Sequence, residues 1–352
     1  MVHMPRGAGL ETTVVQAGPA GIRRCADALV AGELVAFATE TVYGLGADAR
    51  SHDAVRGVYE AKGRPASDPL IVHVGDIAAA AALGDLDAGV GHGRQLAEAF
   101  WPGPLTVVVP RKGDLAAEVS GGATVGLRCP AHPHALELIG EAAMPVAAPS
   151  ANRFGRVSPT EASHVVAELS GRIQWVLDSG PTPLGVESTV VQCVGHTARL
   201  LRPGGVAVED LLEVLGPSAM DVSETVVTRD DAVAESPGTA ISHYSPSMPL
   251  VLCDGGEVVA AELTRALGAE GVSVRRLVLA PGDGAARELY SRLRALDEPG
   301  VQPPADIALA VTVDPAGLGR AVNDRLFRAA HGHIAAKADS HTVCAILARL
   351  GR

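Results

Sequence analysis

The chain has 352 residues, a formal net charge of −11, 47% hydrophobic residues and only 3% aromatic ones. That length predicts about two domains, each with ample apolar material for a core built from Ala, Val and Leu. The acidic balance disfavours broad, sequence-independent nucleic-acid binding, and the scarcity of aromatics disfavours a base-stacking surface. The cysteines Cys25, Cys129, Cys193, Cys253 and Cys344 are odd in number and form no CxxC. Neither a disulfide framework nor a thiolate zinc site is expected from them. No apolar run approaches the ~18 residues of a membrane span. The stretch MVHMPRGAGL lacks the apolar centre of a signal peptide and reads as a loose end, so a cytoplasmic setting is expected.

Apolar residues at helical spacing (Ile22, Cys25, Ala26, Leu29) predict a helix over 21–31. The run Leu34–Ala38 predicts a short buried strand. Thr39, Glu40 and Thr41 then bring two hydroxyls and a carboxylate to its end. Tyr43-Gly44-Leu45-Gly46 reads as a tight glycine turn. Ser51 or Asp53 caps the next helix, which stops at Lys62-Gly63-Arg64-Pro65, a rigid positive corner. Pro69–Val74 returns as a strand carrying His73. Further helices are expected over Ile77–Leu83, Val90–Phe100, His134–Ala143, Thr160–Ser170 (capped by Thr160) and Glu209–Leu215. Strands are expected over Leu105–Val109, Thr124–Cys129, Pro145–Pro149, Trp175–Asp178, Ser188–Val194 and Ala198–Leu201. Strands come in runs as well as alternating with helices, which predicts a mixed sheet.

Periodicity lapses from Gly216 to about Met248, read as a linker in which Val226–Asp231 is a short strand. Its segment Ser236–Pro246 is too specific in composition for a mere spacer. Beyond it, strands at Leu250–Cys253, Val272–Leu279 and Ile307–Val313 alternate with helices at Val258–Leu267, Ala285–Leu296 and Leu318–Ala330. That alternation predicts a smaller, parallel, Rossmann-like α/β domain. The expected division is 10–215 for the first domain, 216–248 for the linker and 249–352 for the second domain.

Gly44-Leu45-Gly46-Ala47-Asp48-Ala49 matches G-x-G-x-x-A between a strand and a helix, the dinucleotide fingerprint context. About twenty residues on stand Lys62, Gly63 and Arg64 rather than an acid for a ribose, which keeps an NADP reading open. Lys62 and Arg64 also fit a solvated helix end. However, Arg128 and Arg202 sit at strand ends beside prolines as well, and guanidinium groups bind carboxylate and phosphate in bidentate fashion. Four such cations suit a polyanionic ligand such as a nucleoside triphosphate, with a carboxylate co-substrate. Ser150-Ala151-Asn152 and Ser158-Pro159-Thr160 serve equally as caps or as phosphate contacts. His132-x-His134 and His331-x-His333 lack accompanying carboxylates or cysteines at metal spacing. Neither G-x-S-x-G nor a Walker A sequence occurs.

Together, TETVYGLGADA at 39–49, KGRPASDPLIVHV at 62–74, FWPGPLTVVVP at 100–110, VGLRCPAHP at 125–133 and PVAAPSANRFGRVSPT at 145–160 resemble the YrdC-type threonylcarbamoyl-adenylate synthases in their long two-domain form. GVESTVV at 185–191, LLRPGG at 200–205 and SPGTAISHYSP at 236–246 continue the resemblance in family order. The C-terminal domain matches by placement and α/β pattern only. The resemblance implies a twisted, open, mixed sheet with a concave basic cavity. It also implies a reaction joining L-threonine, bicarbonate and ATP into threonylcarbamoyl-AMP and pyrophosphate. A downstream tRNA threonylcarbamoyl transferase then uses the product to modify tRNA. A weak tRNA contact is compatible with it and a membrane partner is not. Mg2+ is expected with ATP.

Carried over residue by residue, the resemblance assigns Thr41, His73, Arg128, Ala148 (through its backbone) and Ser188 to L-threonine. It assigns Lys62, Arg64, Asp68, Thr124, Ser150, Asn152, Ser158, Arg202 and Tyr244 to ATP. Lys62 and Arg64, with Arg202, then stabilise charge on the departing pyrophosphate, so that catalysis is mostly positioning and electrostatics. His73 is a candidate base or simply a ligand contact. Ser236–Pro246 is expected to fold over the site and exclude water from the adenylate. Three rival readings are a carbamoyl transferase of the same type, an RNA-binding module using the basic residues, and an NAD(P) enzyme using the glycine segment. The first would need zinc-finger cysteine pairs and an acylphosphatase-like segment that this sequence lacks.

Overall fold

In the computed structural model, residues 10–120, 122–223, 244–298 and 304–352 are described. The expected strand Val226–Asp231 and most of the expected cover Ser236–Pro246 lie outside them. The described chain forms two compact units, one from residues 10–154 and 158–223, the other from 155–157 and 244–352.

The first unit runs β1 (Thr13–Gln16), α1 (Pro19–Val30), β2 (Val35–Ala38), β3 (Tyr43–Asp48), α2 (His52–Lys62), β4 (Ile71–His73), α3 (Ile77–Leu83), α4 (His92–Phe100), β5 (Leu105–Pro110) and β6 (Thr124–Arg128). It continues with α5 (Pro133–Ala142), β7 (Val146–Ala147), α6 (Ala162–Leu169), β8 (Trp175–Asp178), β9 (Thr189–Gln192), β10 (Ala198–Arg202), α7 (Val208–Leu215) and β11 (Met220–Asp221). The strands make one mixed sheet in the order β1-β8-β2-β3-β7-β4-β6-β5-β9-β10-β11. Successive strand side chains point to opposite faces. In β2, Val35 and Phe37 therefore pack with Leu29 of α1 and Leu138 of α5, while Ala36 and Ala38 join the larger core on the other face. Burial on both faces is why this segment reads as an unbroken apolar run.

The glycine segment is not a turn. Tyr43–Asp48 is strand β3, antiparallel to β2, with Gly46 opposite Val35 and Gly44 opposite Phe37. A methyl group at Gly46 would stand 2.8 Å from Phe37 Cε1 and 2.9 Å from Val146 Cγ1. Its glycine answers to crowding between neighbouring strands rather than to phosphate. With no turn to cradle a pyrophosphate, the dinucleotide reading loses its structural context. Two helix starts also differ from expectation. Ser51 does cap α2 by accepting from the Ala54 amide. Thr160, by contrast, is not the cap of α6: Glu161 holds that position without a side-chain cap bond. Thr160 instead faces His164 Nδ1.

The second unit contains β12 (Leu250–Cys253), α8 (Gly256–Ala269), β13 (Val274–Leu277), α9 (Gly284–Ala295), β14 (Ile307–Val311), α10 (Gly319–Ala329), β15 (Ile334–Ala335) and α11 (Ser340–Arg349). Its sheet is parallel throughout, ordered β13-β14-β12-β15. The expected three-strand core thus gains a fourth, two-residue strand and a closing helix capped by Asp339. Tyr244 is fully buried in this unit. Its ring stacks on Tyr290 at 5.5 Å, and the Arg325 guanidinium lies over it at 5.4 Å. No helix among the described residues is long and apolar enough to cross a membrane. The cysteines are free, four of them buried and Cys344 exposed.

Candidate active site

Parallel pairing sets His73 beside Arg128, since β4 and β6 run side by side and end on those two residues. The turn from β2 to β3 supplies their partners. Arg128 Nη2 donates to Thr41 Oγ1 at 3.0 Å and lies 2.7 Å from Glu40 Oε1, while its Nε donates to the Gly103 carbonyl at 3.3 Å. Thr41 is held in turn by Thr39, whose Oγ1 lies 2.7 Å from Thr41 Oγ1 and donates to the Val42 carbonyl. His73 is buried and its Nδ1 has no hydrogen-bond partner. Burial first, and the Arg128 charge second, push its pKa down to about 3, against a smaller opposing pull from the Ile71 and Val146 backbone. The imidazole is therefore neutral at physiological pH.

A second group of charges forms where α2 ends. Gly63 takes the left-handed conformation, with φ 65°, and closes the helix. Lys62, the last helical residue, is not solvated. Its Nζ donates to the carbonyls of Ser150 and Asn152 at 2.5 Å each, and burial first and Arg64 second pull its pKa well below the usual lysine value. Arg64 Nη2 lies 2.9 Å from Asp68 Oδ2 and donates to the Pro69 carbonyl at 2.8 Å. Asp68 feels the positive charges of Arg64, Lys62 and Arg202, yet burial outweighs them and raises its pKa. Those three cations therefore gather around one carboxylate. Arg202, at the end of β10, is anchored on Ser188, with Nη2 2.9 Å from its carbonyl and 3.2 Å from its hydroxyl. Backbone carbonyls thus hold all four cations, which are between 2% and 7% exposed.

The remaining expected residues divide by position. Ala148, Ser150 and Asn152 follow β7 along β3: the Ala148 amide donates to Ile71, and Ser150 bridges to Gly44. Ser188 Oγ lies 2.8 Å from Thr106 Oγ1. Ser158 Oγ donates to Glu187 Oε1 at 2.6 Å, a buried pair. Thr124 lies on the same strand as Arg128. It opens β6, four residues from Arg128, and a strand rise of ~3.3 Å per residue puts the two about 13 Å apart. Tyr244 belongs to the second unit, where its ring is enclosed. Sequence reasoning gave no role to Glu40, Thr106 or Glu187. A polar run ending an apolar strand was the available signal for Glu40, but its partner is 88 positions away in the chain.

In chemical terms, Arg128, Thr41 and His73 offer a carboxylate partner, a hydroxyl and a neutral imidazole. Lys62, Arg64 and Arg202 concentrate positive charge for phosphate oxygens. Among the described residues, no group of three or more His, Cys, Asp or Glu side chains stands together as a metal cage. The donor set around Asp68, with three cations about it, does not fit a resident metal ion either.

Comparison with known proteins identifies the family. Residues 27–204 match the family model of Sua5, YciO and YrdC, described as telomere recombination. Residues 206–331 match the model of the threonylcarbamoyl-AMP synthase C-terminal domain. Threonylcarbamoyl-AMP synthase of Bacillus subtilis is 40% identical over 334 residues, spanning 89% of this chain and 94% of that protein. The Pyrococcus abyssi enzyme of that name is 38% identical over 325 residues, spanning 88% and 93%. The crystal structure of P. abyssi Sua5 complexed with L-threonine superposes with a TM-score of 0.83 at 36% identity, covering 93% of this chain and 99% of that one. Matched in both parts and along nearly its whole length, the chain belongs to the Sua5/YrdC family of threonylcarbamoyl-AMP synthases in its two-domain form.

Proposed function

We infer that this protein makes threonylcarbamoyl-AMP from L-threonine, bicarbonate and ATP, releasing pyrophosphate. The observation carrying this reading is that a buried arginine with a hydroxyl partner and a cluster of three cations occur in one unit of a chain so similar to those synthases. Arg128 holds the threonine carboxylate, with Thr41, His73, Ser188 and the backbone at Ala148 completing the pocket. Lys62, Arg64 and Arg202 meet the phosphates, with Asp68, Ser150, Asn152 and Ser158 around them. The threonine amine, as the free base, attacks the carbon of bicarbonate, whose hydroxyl leaves as water with a proton from the nitrogen. The resulting carbamate oxygen attacks the α-phosphorus as the bond to the bridging oxygen of pyrophosphate breaks. Charge on departing pyrophosphate is met by groups already fixed by backbone carbonyls, so little reorganisation is needed.

Thr124 and Tyr244 are assigned to ATP on resemblance alone. Magnesium arrives as the counter-ion of ATP. The product passes to a tRNA-modifying transferase in the cytoplasm, with at most a weak tRNA contact here, and the linker over 216–248 shields the adenylate from water. A chain ending at Leu215 is then expected to lose product faster to hydrolysis. Pyrophosphate release assayed with each amino acid, with and without bicarbonate, tests the central reading. Dependence on threonine and bicarbonate together is expected, whereas steep salt-dependent RNA binding without ATP turnover would favour an RNA-binding module instead.

A further inference from the structure

The turn between β2 and β3 carries a carboxylate to which the reaction just described gives no work. Glu40 is 7% exposed and lies 2.7 Å from Arg128 Nη2, yet neither of its oxygens accepts a well-formed hydrogen bond. Its charge is felt at Cys129, just beyond β6, and at His132, just before α5. A buried carboxylate with its lone pairs unused is costly. It is also the wrong neighbour for a site that receives only a carboxylate, because it repels that ligand and competes for the same guanidinium. The conflict disappears if the ligand brings a positive charge of its own.

We propose that Glu40 and Arg128 together recognise the zwitterion of the amino acid, Arg128 taking its carboxylate and Glu40 its ammonium. The ion pair presents a dipole that the reversed dipole of an α-amino acid matches, so that each charge exchanges one partner for two. Glu40 is thereby a specificity-determining residue: it selects amino acids over hydroxy acids and other carboxylates at the binding step and positions the nitrogen, which attacks bicarbonate only after its ammonium proton has been lost. This inference rests on threonine being the substrate.

Calorimetric titration of the full-length protein with L-threonine and with (R)-3-hydroxybutyrate, which is threonine without its amino group, tests it. The wild type is expected to prefer threonine by about 30-fold or more, the worth of a hydrogen-bonded charge. Glu40→Gln is expected to bring that ratio within about threefold by weakening threonine alone. Equal binding of both ligands to the wild type overturns the proposal, and that measurement needs no variant should Glu40→Gln not fold. An unchanged ratio in Glu40→Gln overturns it too, as does equal weakening of both ligands, which would make Glu40 only a positioning residue for Arg128. Absence of threonine binding and of threonine-dependent pyrophosphate release in the wild type would instead defeat the proposed function, and this inference with it.

Discussion

His73 and Arg128 are register partners at the carboxyl ends of parallel neighbouring strands, and the buried His73 imidazole is held neutral. Folded, His73 has a pKa of about 3, against an ordinary value of 6.5. Below 6.5 the unfolded chain binds a proton that the folded one does not. This site's contribution to stability is therefore complete above 6.5 and is lost progressively as pH falls toward 3. Between pH 6.5 and 5 the loss is ~2 kcal/mol. Thermal unfolding followed from pH 7.5 to 5 should show a shallower decline in Tm for His73→Gln than for the wild type. Parallel declines would contradict the buried neutral imidazole.

Arg128 and Arg64 stand in different groupings, so their removal should affect different substrates. Arg128→Ala is expected to raise the threonine KM by about 100-fold, the loss of a buried charged contact, and to change the ATP KM little. Arg64→Ala should do the converse. Steady-state pyrophosphate release with each substrate varied in turn checks both, and a loss of the same substrate in both variants would refute the role assignments.

Lys62 is both a charge and a structural donor. Lys62→Ala removes the partner of two carbonyls, at Ser150 and Asn152, and should cost about 2–3 kcal/mol in a denaturant titration as well as impairing ATP use. Lys62→Arg should not restore ATP use, because a planar fork does not fit two convergent carbonyls at ammonium distance. Full recovery of kcat/KM in Lys62→Arg would show that charge alone matters there.

The strand reading of Tyr43–Asp48 makes its own prediction. Gly46→Ala drives a methyl group against Phe37 and Val146, and overpacking of this kind costs about 1–3 kcal/mol. A lowered denaturation midpoint is expected. Were the segment a phosphate-binding turn, nucleotide affinity would fall instead of stability.

Much of this protein is legible in the amino-acid order, for a local reason. Apolar spacing and capping residues act within a few positions, so α2 with a cap at Ser51 or Asp53, α3 and the strands Leu250–Cys253 and Trp175–Asp178 can be read directly. The assembly of separated motifs, Lys-x-Arg, Ser-x-Asn and the arginines at strand ends beside prolines, likewise points to anion chemistry from the amino-acid order alone. Tertiary structure alone decides what depends on partners distant in the chain. Gly44 and Gly46 look like a turn until β2 and β7 flank them and their missing side chains prove to be packing space. Two-residue strands such as β11 and β15 carry too little pattern to be seen without the neighbours that pair with them. Lys62 reads as a solvated helix end until residues 150–152 cross it and take it out of water. Glu40 reads as a turn carboxylate until β6 brings Arg128 to within 2.7 Å of it. Periodicity is a property of neighbours along the chain, whereas burial and charge pairing are properties of neighbours in space, and the chemistry resides in the latter.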